Sequence, residues 1–161
     1  MLHQDYILRE IERMIQFYLR AVGLKTEDEA GSLHAFLEEN SETVTGLPLD
    51  TLLASPAQKL VSLFYHPGTA KLPQLVGCGV WLCEAADVRR LDGDLDSARD
   101  LFQRGAQLLA FLNAHHGASR EFAPLEEHLQ RLLPRLDELR FSPDDRSRLI
   151  ATLTTPPGGI P

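Results

Sequence analysis

The chain has only two cysteines, Cys78 and Cys83, and they cannot form a structural staple where they stand. Five residues on a helix subtend about 500°, so two thiols at this spacing point in different directions. Bridging them would need the surrounding apolar helical stretch to break, and both read as small buried hydrophobes. Long apolar runs are also lacking. Stretches such as Val80-Trp81-Leu82-Cys83 fall far short of the ~20 residues that cross a bilayer, so no membrane partner is expected. Positive charge is scarce: 16 basic residues face 23 acidic ones, a net charge of −7. A nucleic-acid surface normally needs a basic face for phosphates, so no nucleic acid is expected either. The opening Met-Leu-His-Gln-Asp-Tyr has no basic region followed by an apolar run, which sets the expectation of no secretory signal and a cytoplasmic location. No segment alternates with period two, so no sheet is expected.

Motifs that carry chemistry are missing as well. None of the six histidines follows a Glu-x-x pair, the arrangement of di-metal helical bundles. His-Glu-x-x-His, Cys-x-x-Cys, Gly-x-Ser-x-Gly, a Walker-type loop and a dinucleotide fingerprint are all absent. No catalytic, cofactor or metal site is assigned, and the reading leans away from an enzyme.

What is present is helical periodicity in a chain of 161 residues with 43% hydrophobic and 24% charged content, an ordinary globular balance. The expected fold is all-α: one compact multi-helix domain over 1–153, with 154–161 as a flexible tail. A first helix from Asp5 to Val22 carries Ile7, Ile11, Met14, Tyr18 and Val22 on one face. A second opens with the capping box of Thr26 and Glu29, carries Leu33, Phe36, Leu37 and Val44, and ends at Gly46 and Pro48. Short helices follow over Leu49 to Ala54 and, capped by Ser55 before Pro56, to Tyr65. His66-Pro67-Gly68 is a break. From Lys71 to Leu91 apolar residues wrap most of the circumference, the pattern of a central buried helix. Gly77 and Gly79 within it would each cost about 1 kcal/mol against alanine, so they mark close approach of a neighbouring backbone, in preference to a phosphate loop. Asp92-Gly93-Asp94 makes a stop and a new cap. The next helix carries Leu101, Phe102, Gly105, Leu108, Leu109 and Leu112 and ends at His115-His116-Gly117. A helix from Phe122 to Arg140 is expected to be kinked, not stopped, at Pro134. Ser142 caps a last short helix.

The segment Leu82 to Ala110 resembles one tetratricopeptide repeat. Ala86 stands at the motif's first small position and Gly93 at the turn, with Ala98, Phe102 and Gly105 in the second helix; Arg89 departs from it, standing where the motif usually has an aromatic. Together with the opening Gln4-Asp5-Tyr6-Ile7, Arg9, Ile11 and Glu12, and with Thr45-Gly46-Leu47 followed by Leu52-Leu53, this hairpin resembles a family of uncharacterised bacterial helical proteins. The resemblance covers roughly Gln4 to Asn113. It implies a tetratricopeptide-like antiparallel hairpin and a bacterial origin, and supplies no catalytic residues.

Candidate sites are therefore sought among charged side chains. Glu84 and Asp87 lie three apart near Trp81; a buried pair could serve as acid and base, but the spacing of Asp87 and Arg90 suits an ion pair, and the expectation is an exposed strip. His115 and His116 sit where a helix's carbonyl end favours imidazolium. Arg89 with Arg90, and Arg131 with Arg135 one turn apart, could hold an acidic peptide or phosphate, although nearby Glu126, Glu127, Asp137 and Glu138 also suit a mixed solvated surface. These four arginines are the partner-binding candidates. The function expected is a non-catalytic interaction module, an adaptor or scaffold for a protein or peptide partner, with homo-oligomerisation through the first helix possible. The alternative is a small-molecule-binding or enzymatic bundle with a pocket along the central helix.

Overall fold

The computed structural model describes residues 6, 8–13, 16, 30–65 and 71–156. Among them no residue lies in a strand, and the fold is all-α. Among the described residues, eight α-helices follow residues 8–13, which are themselves helical: α1 (Ala30–Thr45), α2 (Leu49–Ala54), α3 (Ala57–Phe64), α4 (Leu72–Leu91), α5 (Leu95–His116), α6 (Ala123–Leu132), α7 (Arg135–Glu138) and α8 (Pro143–Leu153). The expected cap at Thr26, the break at His66-Pro67-Gly68 and most of the first helix lie outside the described residues. Ile11, from that helix's expected apolar face, is fully buried.

The central layer consists of α1, α4 and α5 side by side, with α4 in the middle. Every residue of α4 from Leu75 to Val88 is buried. On one side, Trp81 donates its indole N–H to the Leu37 carbonyl of α1 at 3.0 Å and stacks obliquely near Phe36. On the other, Gly79 faces Gly105, and Cys83 faces Phe102. These pairings run α4 antiparallel to both neighbours. The glycines have the reason expected of them. A β-carbon on Gly77 would collide with the Val44 carbonyl, and one on Gly105 would lie 2.7 Å from the Gly79 carbonyl oxygen. Helix axes at such crossings approach because no side chain stands between them.

The breaks between elements are built locally. Gly46 takes φ 80° after α1, and the buried Ser41 and Thr45 hydroxyls donate to the Leu47 carbonyl at 2.8 and 3.1 Å. Thr45-Gly46-Leu47 is thus a helix stop whose polar groups are satisfied internally. Gly93 takes φ 85° between α4 and α5, and Asp94 caps α5 by accepting from the Ser97 N–H at 3.1 Å. The Ser97 hydroxyl and N–H hold the Asp94 carboxyl below its usual value, with Arg89 adding to the pull. Ser142 likewise caps α8.

Two local expectations are corrected. Ser55 does not cap α3: its hydroxyl donates back to Thr51 at 2.6 Å, and Pro56 occupies the cap position without a side-chain bond. The helix through Pro134 is stopped, not just kinked. Proline has no N–H for the Gln130 carbonyl, which accepts instead from Leu133 at 3.3 Å. Backbone torsions remain right-handed across Leu133 and Pro134, so the apolar phase continues into Leu136 and Leu139, but the ladder restarts as the single turn α7.

Candidate functional site

The four candidate arginines do not share one surface. Arg89 is exposed at the hairpin end, beside a shallow cleft of about 270 Å³ lined by Gly31, His34, Val88 and Asp92. Arg90 is half-buried, with its Nε 3.3 Å from Asp87 Oδ1. Arg131 pairs with Glu127 one turn earlier at 2.9 Å. Arg135, across the Pro134 break, is only 6% exposed and points into the interior, away from any partner. The break is what separates Arg131 and Arg135, which an unbroken helix would have set on one face.

Arg135 is the keystone of a charged cluster inside the protein. Its guanidinium donates to the Cys83 carbonyl at 3.2 Å and to Glu84 Oε1 at 2.7 Å, and lies 3.3 Å from Asp87 Oδ2. Glu84 and Asp87 are 0% and 1% exposed. The expected exposed strip on α4 is therefore wrong, although the Asp87–Arg90 pair is present. The physical reason was visible in the helix itself: a segment packed on all sides has no wet strip, so its acids must find internal cations. Two carboxylates and two guanidiniums balance in charge, and each carboxylate has a guanidinium against it. The cluster can orient α7 on α4; it presents no open carboxylate to a substrate.

The histidines sit near the end of α5, as the sequence suggested, but they do packing work. His116 Nε2 lies 3.0 Å from the Tyr65 hydroxyl, and its ring stacks on Phe122 with centroids 5.3 Å apart. His115 lies over Phe111 at 4.5 Å. His128 is fully buried in α6. Among the described residues no three His, Cys, Asp or Glu side chains converge to hold a metal. Neither cysteine is in a disulfide and both are buried, and burial pushes the Cys78 thiol up to about 12.

A feature not anticipated from sequence is a groove of about 340 Å³ between α5 and α8. Gln107, Phe111 and His115, at successive spacings of four, form a ridge along α5. Ala110 and Ala114 make the floor, and Ala151, Thr152 and Thr155 the opposite wall. The two threonines are less polar here than their type suggests. Thr152 donates its hydroxyl to the Arg148 carbonyl at 2.9 Å, and Thr155 donates to Ala151 at 2.8 Å, so both hydroxyl protons are spent on their own backbone. Among the described residues, no Asp, Glu, Lys or Arg lines the groove. The one signal in the sequence was Phe111, an aromatic standing outside the α5 core stripe; the facing wall depends on how α8 docks.

No helix among the described residues is long and apolar enough to cross a membrane. No protein-family model, curated protein or solved structure matches this chain.

Proposed function

We propose that this chain is a non-catalytic protein-interaction module, an adaptor or scaffold, whose groove between α5 and α8 receives the apolar face of a partner's helix. The groove is the observation that carries this reading. At 340 Å³ it stands at the small end of the range of ligand pockets. Its polar side chains among the described residues are the two threonines, whose hydroxyl protons are spent, and Gln107 and His115. The latter two stand eight residues apart along α5 and so do not converge on one small polar molecule. An alanine floor and a ridge centred on Phe111 suit instead the i, i+3, i+4 and i+7 anchors of an amphipathic helix. From Gln107 to His115 the ridge runs eight residues, ~12 Å at the helical rise, about two turns of an incoming helix. The tetratricopeptide-like resemblance of the α4–α5 hairpin points the same way, since repeats of that kind generally act by binding other chains. The enzymatic alternative draws least support from Glu84 and Asp87, whose carboxylates are buried against Arg135 and Arg90.

The test is a titration of the isotope-labelled protein with an uncharged, leucine- and alanine-based amphipathic helical peptide, read by NMR. Shifts concentrated at Ala110, Ala114 and Thr152, lost in Ala151→Arg and kept in Ala35→Arg, are expected. Ala151 and Ala35 are both exposed, so neither variant should disturb the core. Equal responses in the two variants would overturn the reading. Concentration-dependent shifts at the same residues without peptide would make the occupant a second copy of this chain.

A further inference from the structure

We draw no further inference here: the strongest candidate, the apolar groove between α5 and α8, belongs to the site already described, and nothing in the structure shows which particular partner covers it.

Discussion

The two halves of α4 both run through the core and yet hold their neighbours in opposite ways. The first half, around Gly77, Cys78 and Gly79, meets Val44 of α1 and Gly105 and Leu109 of α5 with almost nothing between the backbones. The second half, from Cys83 to Arg90, meets α7 through carboxylates and a guanidinium. Close packing gains dispersion over many small contacts and tolerates no added volume. A buried ion pair loses most of its Coulomb gain to desolvation, but its geometry is directional. The glycine half is therefore expected to supply stability, and the charged half to fix where α7 sits. One helix serves both ends because its neighbours need different things: α1 and α5 are long and regular, whereas α7 is a single turn after a proline break and has little surface of its own to define its position.

The largest effect should come from dividing the charged half against itself. Arg135→Met leaves Glu84 buried opposite an apolar side chain, and should cost about 3–5 kcal/mol in urea unfolding. Adding Glu84→Met should restore a large part of that loss, because Asp87 keeps Arg90 as a partner and no charge is left stranded. A double-mutant cycle measures the coupling. If the double variant is as unstable as Arg135→Met alone, the cluster supplies net stability, and the contrast between the halves disappears.

The glycine half should respond to the opposite operation, adding atoms. Gly105→Ala gains about 1 kcal/mol of helix propensity, but its β-carbon would lie 2.7 Å from both Cys83 Sγ and the Gly79 carbonyl oxygen. Backbone cannot yield as a flexible side chain does, so a net loss of about 1–3 kcal/mol is expected. Gly31→Ala is the control, having open space around it, and should be neutral or slightly stabilising. Matching thermal shifts for the two variants would show that α4 and α5 are free to move apart.

Much of the glycine half could be read from the sequence, because its causes are local. Glycines inside an apolar helix demand a close neighbour wherever that neighbour comes from, and Gly46, Gly93, Asp94 and Ser142 act on adjacent residues. The charged half was hidden because its partners lie 51 residues apart. Periodicity gave Glu84 and Asp87 no internal cation, so the i, i+3 pair with Arg90 looked sufficient. The same holds for the groove, whose walls come from α5 and α8: each helix shows its own stripe, but their docking sets which off-stripe residues face each other. Pro134 was noticed, but the continuing apolar phase argued for a kink, and periodicity does not register hydrogen bonds.

Cys78 offers a smaller probe of how dry the glycine half is. Burial raises its thiol from 9.0 to about 12. Between those values the unfolded chain has lost the proton that the native chain keeps, so the unfolded state binds fewer protons and stability falls as pH rises. This contribution is complete below pH 9 and disappears towards 12. Between pH 8 and 10 the loss should be roughly 1 kcal/mol. Other groups titrate there too, so the quantity to measure is the difference in slope between the wild type and Cys78→Ala. Parallel slopes would mean that water reaches the thiol and that this half of α4 is looser than its packing implies.

The smallest effect separates backbone strain from charge at the α7 junction. Arg140, just beyond α7, is the one non-glycine residue among those described with positive φ, at 54°. Its N–H reaches the Asp137 carbonyl at 3.1 Å and the Phe141 N–H reaches Leu136 at 3.5 Å, the closing pattern of a helix that ordinarily places glycine here. The side chain is exposed, so Arg140→Gly removes steric strain at the cost of a more flexible unfolded chain. A net gain of about 0.5–1 kcal/mol follows, seen as a rise of roughly 2 °C in Tm. Made in the Arg135→Met background, the same change should add the same increment, because the two residues act through different terms. If the increment grows well beyond that in the Arg135→Met background, the guanidinium has been holding a strained turn in place. The charged half would then position α7 by opposing backbone strain as well as by pairing charge.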